Sequence, residues 1–175
     1  LKATLKTPEK LRPFLEVAEK AGTRLGQALI DAGADIICCE DMSASPALIA
    51  SHTYRDFEIE HQKRQFEALS VPKILHICGD VTSIIRFMAR TGADAISLEP
   101  KTETGVARKE GGREMILMGG CDTATTLFMD PPEKVYDACL SAIDGGIDIL
   151  APGCAVPPGT PKENLTAMVA AARAR

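Results

Sequence analysis

Nowhere in the 175 residues does an apolar run approach the ~20 positions a bilayer-crossing helix needs. No secretory signal opens the chain. Positive charge is not in excess: 20 Lys and Arg stand against 24 Asp and Glu, for a net charge of −4. That balance argues against a nucleic-acid binder relying on a basic face. Low hydrophobicity is missing as well. With 45% hydrophobic residues the chain has material for a core, which excludes intrinsic disorder. No linker or low-complexity tract divides it, so residues 1–175 read as one domain or part of one. The chain starts at Leu1 rather than Met and is short for the fold inferred below. It is expected to be part of a longer protein.

The six cysteines are Cys38, Cys39, Cys78, Cys121, Cys139 and Cys154. Disulfide frameworks belong mostly to short secreted chains with weak cores, so these read as free thiols in a reducing cytoplasm. Cys139 falls on a helical apolar stripe. Cys38 and Cys39, adjacent on a strand, point to opposite faces. All three are read as core filling. Cys78, Cys121 and Cys154 lie beside glycines at strand ends, a different setting.

A phrase recurs three times: Gly33-Ala34-Asp35, Gly92-Ala93-Asp94 and Gly146-Ile147-Asp148. Each follows an amphipathic helix and precedes an apolar run, with the glycine supplying the left-handed conformation that closes a helix. The runs are Ile36 to Cys39, Ala95 to Leu98 and Ile149 to Ala151. Two more, Lys73 to His76 and Met115 to Met118, bring the expected strands to five. Helices are expected over about Pro8 to Ala32, Tyr54 to Leu69 and Thr82 to Arg90, with a short one near Val106 to Glu110. In the first, Leu11, Phe14, Ala18, Leu25 and Leu29 share a stripe, and Pro13 suggests a kink or a later start. Two more begin at Asp130-Pro131-Pro132-Glu133 and Thr160-Pro161-Lys162-Glu163. Each places a side-chain oxygen at the N-cap, proline at N1 and glutamate at N3.

Strand and helix alternate without an Asn-Gly turn between apolar runs, which predicts a parallel α/β sheet with right-handed crossovers. An open doubly wound sheet would carry a Gly-x-Gly-x-x-Gly loop after an early strand, and none exists. A (β/α)8 TIM barrel would place functional residues at the C-terminal ends of several strands. Here those ends carry Glu40-Asp41, His76-Ile77-Cys78, Glu99 and Cys121-Asp122, with Cys154 a short loop past the last. The barrel reading is preferred, with five of its eight βα units visible.

His76 and Cys78, two apart on a strand, project to one face and can bind one ion together. With Cys154 they form an imidazole–dithiolate set that suits Zn2+ better than Mg2+ or Ca2+. Strands two and five of a flat sheet lie roughly 14 Å apart, too far for shared ligands at roughly 2.0–2.3 Å from one ion. A barrel curls both ends around one mouth, so the metal and barrel hypotheses stand or fall together. Plainer readings accompany each residue. His-x-Cys can be packing, and Glu99 can be a solvated strand-end carboxylate. Cys121 reads best as a small residue in a tight Gly-Gly turn, and His52 and His61 as exposed. Glu40-Asp41 could be a substrate contact or simply solvated.

At these residues the chain resembles the methylcobamide:thiol methyltransferases of the uroporphyrinogen decarboxylase superfamily. The resemblance is carried by Val71 to Gly79 (Val-Pro-Lys-Ile-Leu-His-Ile-Cys-Gly), by Gly92 to Glu99, and by Ile149 to Pro161 with its Pro-Gly-Cys and Thr-Pro. It covers nearly everything from about Pro8 onward and implies a TIM barrel of which residues 1–175 are the C-terminal part, the last five βα units. The resemblance implies zinc ligands His76, Cys78 and Cys154. It also implies that Glu99 takes the fourth position when substrate is absent, a displaceable ligand that yields to a thiol. Cobalamin-independent methionine synthase is similar in using a His, two Cys and a Glu on a barrel. The implied activity moves a methyl group from a methylated corrinoid, carried by a corrinoid protein, to a zinc-activated small thiol such as coenzyme M. Two thiolates would neutralise Zn2+, and binding there would lower the thiol's pKa from about 8.5. Gly119-Gly120-Cys121-Asp122 departs from the superfamily's usual Gly-Asn or Gly-Asp, leaving open what lines that part of the pocket. Two rival functions stand: a metal-free decarboxylase-like enzyme acting on a tetrapyrrole carboxylate, and a non-catalytic, zinc-stabilised relative that binds a corrinoid protein. An oligomer is compatible with the sequence.

Overall fold

The computed structural model describes residues 2–175. Its elements run α1 (Lys2–Lys6), α2 (Pro8–Asp31), β1 (Ile37–Glu40), a 3-10 turn (Met42–Ala44), α3 (Ser51–Phe57), α4 (Ile59–Glu67), β2 (Lys73–His76) and α5 (Ile85–Met88). They continue β3 (Ala95–Leu98), α6 (Thr104–Gly111), β4 (Ile116–Cys121), α7 (Thr126–Met129), α8 (Pro132–Asp144), β5 (Ile149–Pro152) and α9 (Lys162–Arg173). The strands form one parallel sheet in the order β1-β2-β3-β4-β5. Each strand adds beside its predecessor, the winding of a barrel. A doubly wound sheet would reverse its order at a switch point. The sheet is an open arc with free edges at β1 and β5.

Register gives the arc two chemically distinct faces. Cys39, Leu75, Ile96 and Leu117 lie side by side across four strands and turn toward the helices. There they join Tyr54, Phe66, Ile77, Ile84, Ile85, Met88 and Ala107 in the main core. The adjacent row, Glu40, His76, Ser97 and Met118, faces the concave side. A second core of Cys121, Leu127, Val135, Cys139 and Ala171 holds α7, α8 and α9 against the end of β4.

The recurring Gly-x-Asp phrase has a structural use for both of its ends. Gly33 and Gly146 adopt positive φ, and the following Ala34 and Ile147 N–H groups bond back to Leu29 O and Ala142 O at 2.9 and 3.2 Å. That is the Schellman closure of α2 and α8. Gly92 is also left-handed, but α5 stops four residues before it. Asp94 then accepts from the Lys73 N–H at 2.8 Å, and Asp148 from the Leu117 N–H at 2.7 Å. Each carboxylate thereby satisfies a donor at or near the start of the neighbouring strand. Asp148 also pairs with Arg108 at 2.6 Å, whose guanidinium spans to Met115 O and Gly146 O.

Several helices differ from expectation. The Tyr54–Leu69 helix is two, α3 and α4, broken at Glu58, while Thr82–Arg90 contracts to the single turn of α5. Pro13 does not delay α2, which begins at Pro8 and continues through it. The apolar stripe of α2 is not its packed face: Phe14 is 73% and Leu25 63% exposed. Packing uses the neighbouring face instead. Glu19 meets His61 and Arg64, both at 2.7 Å, and Gly22 and Gly26 let Gln65 and Leu69 approach closely. The caps shift by one residue: Pro131 and Pro161 occupy the N-cap positions and neither helix has a side-chain cap. Thr160 instead donates its hydroxyl to Pro157 O at 2.8 Å, and Asp130 pairs with Lys134 at 3.6 Å.

Asp148→Ala should lower the unfolding free energy by about 1–2 kcal/mol, because it strips a charged acceptor from Leu117 and Arg108 together. The denaturant midpoint reads this. Backbone and guanidinium donors hold the Asp148 carboxyl below its ordinary range despite partial burial. Its contribution is therefore present above the unfolded-state pKa of about 3.9 and fades as pH falls through the lower folded value. The difference between wild type and variant should shrink only in that acid window.

Candidate metal centre

His76 ends β2, and Cys78 follows two residues on. The ring of His76 is almost fully buried, 3% exposed, and its Nδ1 lies 3.0 Å from the Ser97 hydroxyl. Ser97 occupies the same row on β3 and is itself buried. This contact fixes the ring with Nε2 toward the mouth, the outer-shell arrangement that orients metal-binding histidines. Cys78 is held by its backbone, whose carbonyl accepts from Ser45 Oγ at 2.7 Å. Gly79 follows in the left-handed region, φ +90°, and turns the chain away.

Cys154 arrives from the loop after β5, where Gly153 donates to Cys121 O at 2.8 Å. Cys78 Sγ stands 3.4 Å from His76 Nε2 and 3.8 Å from Cys154 Sγ, and the three ligand atoms all lie within 4.8 Å of one another. Tetrahedral geometry with bonds of roughly 2.3 Å to sulfur and 2.0–2.1 Å to nitrogen places two sulfurs roughly 3.8 Å apart, and sulfur and nitrogen roughly 3.6 Å apart. The two distances from Cys78 Sγ match that ligand frame, and His76 and Cys154 lie within 4.8 Å of each other. One neutral imidazole and two thiols are also the donor chemistry zinc selects. The residues present therefore fit a zinc ion.

Electrostatics add a condition. Burial first, then the neighbouring Cys154, Glu99 and Glu40, push the Cys78 thiol up to about 11. Only the thiolate is a ligand, so a metal must displace this proton.

Glu99 stands beside the triad, outside the three-atom group. Its Oε1 accepts from the Gly79 N–H at 2.5 Å, and its Oε2 lies 3.2 Å from Lys101 Nζ. Lys101 belongs to no motif in the sequence, and its one signal there is its place two residues after Glu99.

The acidic pair at the end of β1 divides between two roles. Asp41 is structural. It accepts from the Ala44 N–H at 3.2 Å and from Gln62 at 2.9 Å, while Gln62 accepts from Tyr54 OH at 2.6 Å. Glu40 instead lines a concave cavity of about 210 Å3 with Cys38, His76, Ser97, Met118 and Cys154. Cys38 is exposed there, a correction to its reading as core filling: the barrel-facing side of β1 has nothing packed over it. Cys139 is buried as expected, Cys39 packs against the main core, and all six thiols are free. Cys121 is the last residue of β4, not part of a turn beyond it, and is buried in the second core. The glycines before it permit close strand packing: a Cβ at Gly119 would meet Leu98 O at 2.3 Å. His52 is exposed on α3. His61, by contrast, is not; its ion-pair contact with Glu19 leaves the ring 15% exposed.

A curved parallel βα arc with an imidazole–dithiolate group at its mouth defines one class, part of a (β/α)8 barrel with a candidate metal centre at the C-terminal strand ends. The uroporphyrinogen decarboxylase (URO-D) family model matches residues 1–175, and the chain belongs to that family. It is 35% identical over 173 residues to a methylcobamide:CoM methyltransferase of Methanosarcina barkeri, covering 98% of this chain and 51% of the relative. A solved methyltransferase from Methanosarcina mazei superposes with a TM-score of 0.95 at 33% identity, over 99% of this chain and 52% of that one. A B12-independent methionine synthase from a Shewanella species, solved with selenomethionine, shares the fold at TM-score 0.71 and 21% identity, over 97% and 56%. The chain thus spans about half the length of the relatives it matches.

Ser97→Ala should weaken zinc binding roughly 10-fold through loss of ring orientation, measured by competition with a chromophoric chelator. Below about pH 11, the affinity of the unaltered protein should rise about tenfold per pH unit for the Cys78 proton alone. An affinity flat between pH 6 and 9 would contradict the ligand assignment.

Proposed function

We propose that this chain carries the zinc-binding half of a methyltransferase that moves a methyl group from a methylated corrinoid, presented by a corrinoid protein, to a small thiol. The observation that carries the reading is the gathering of the His76, Cys78 and Cys154 ligand atoms within 4.8 Å of one another, with Cys78 at tetrahedral-ligand spacing from both partners, in a chain similar to methylcobamide:CoM methyltransferases. A metal-free decarboxylase gives no use to three ligand atoms so spaced. A zinc ion bound there supplies Lewis acidity that lowers the pKa of an entering thiol.

The chain's own residues set the terms. Cys78 and Cys154, as thiolates, balance a divalent charge, so an entering sulfur keeps its nucleophilicity. His76, fixed by Ser97, contributes no charge and holds the frame rigid. We assign Glu99 the labile fourth position: among the described carboxylates it is the one bonded to the residue that follows Cys78. Three fixed ligands and one exchangeable one are the arrangement of a catalytic site rather than a structural one. The cavity beside the triad, with Glu40 and Cys38 on its wall, offers room for the acceptor on the concave side. Among the described residues no helix is long and apolar enough to cross a membrane, and six free thiols suit a reducing compartment such as the cytoplasm.

Anaerobically purified full-length protein should contain one zinc per chain and demethylate free methylcobalamin in a thiol-dependent reaction followed by absorbance. Cys78→Ser should lose both the metal and the activity, at least 100-fold for the latter. Full activity in a metal-free preparation would refute the reading, and zinc without any methyl transfer would support a scaffold in place of an enzyme.

A further inference from the structure

The loops that follow the five strands hold a single cation. Residues 41–50, 77–84, 99–103, 122–125 and 153–161 include Asp41, Asp80, Glu99, Glu103 and Asp122, and Lys101 is the only Lys or Arg among them. Lys101 is itself 63% exposed, yet it contacts a carboxylate that is only 14% exposed. Both oxygens of that carboxylate are engaged: Oε2 by Lys101 Nζ at 3.2 Å, and Oε1 by the Gly79 N–H at 2.5 Å. One anchor thus belongs to the turn that follows β2 and carries Cys78, and the other to an exposed ammonium at the rim.

Charge makes this arrangement useful. Two thiolates and a divalent ion are neutral together, so Glu99 in the fourth position brings the ligand set to −1. When a thiol takes that position its proton goes to solvent and its sulfur restores −1. Glu99 is then left as a second, adjacent anion in a poorly solvated place. Unpaired, it would compete to return.

We propose that Lys101, together with the Gly79 N–H, is the resting place that receives Glu99 when a thiol displaces it, so that Lys101 is a positioning residue controlling how readily the acceptor enters. This rests on the metal-dependent reading above and adds to it the group that governs ligand exchange. The partner in the exchange is Glu99, and the ammonium need not touch the substrate.

The test uses protein loaded with Co2+ in place of zinc, whose sulfur-to-metal charge-transfer band reports each thiolate bound. Titration with 2-mercaptoethanol, a thiol without a charged tail, gives its dissociation constant from the growth of that band. Lys101→Met should weaken thiol binding about threefold to tenfold without loss of metal, and Lys101→Arg should stay within about twofold of wild type. In a Glu99→Gln background no anion needs a partner, so adding Lys101→Met should change the constant by less than about 1.5-fold. Lys101→Met without effect in the Glu99 protein overturns the proposal. An equal loss in both backgrounds overturns it too, because the ammonium would then act on the thiol directly. Failure of any thiol to enlarge the band in the unaltered protein would count against the parent reading, separately from Lys101.

Discussion

Parallel strands that twist right-handedly and add in sequential order roll into an arc, and the arc draws together ends that a flat sheet would hold roughly 14 Å apart. β2 and β5 are separated by two intervening strands, yet Cys78 Sγ and Cys154 Sγ stand 3.8 Å from each other. The cavity, the acidic rim and the position of Glu99, just past the end of β3, all follow from that curvature. Close strand contact accompanies it. With no side chain at Gly119, β4 lies against Leu98 of β3 at a distance a Cβ would forbid. The hydrogen bond from Gly153 to Cys121 then steers the last loop inward.

Much of this was legible in the residues. All five strands lie within three residues of their expected limits, three of them because an apolar run behind Gly-x-Asp leaves little choice. His76, Cys78 and Cys154 could be grouped because strand periodicity sets two of them on one face and a Pro-Gly turn frees the third. The helices were less legible where tertiary contact overrides local pattern. Glu58 breaks the Tyr54–Leu69 segment without proline or glycine to announce it. In α2 the apolar stripe promised the packed face, but the structure buries the small and polar edge, where Gly22 and Gly26 admit α4 and Glu19 meets His61 and Arg64. Period alone cannot say which neighbour a helix will find. Cys38 failed as a core residue for a related reason: strand alternation gives its face, and that face borders a cavity.

The end of β1 shows how adjacent residues take separate tasks. Asp41 is buried enough to push its carboxyl up, and its oxygens are spent on Ala44 and Gln62. Through Gln62 it reaches the fully buried Tyr54. That chain ties the loop after β1 to α3 and α4 and keeps Glu40 aimed at the concave side. Ser45, on the same loop, grips the Cys78 carbonyl. Support for the ligand strand therefore comes from both sides, from Ser45 on one flank and Ser97 on the other.

Cys78 and Cys154 are 76 positions apart in the chain, and nearly everything between them is the βα succession that forms the second half of the arc. An ion shared by the two would close that whole stretch into a ring. Closing a long loop removes much of the freedom of the unfolded chain, and ligand binding confined to the native state adds its free energy to folding. A shared ion would then act as a clasp across β3, β4 and β5. An apo chain and a loaded chain would differ most in the cooperativity with which these strands unfold together.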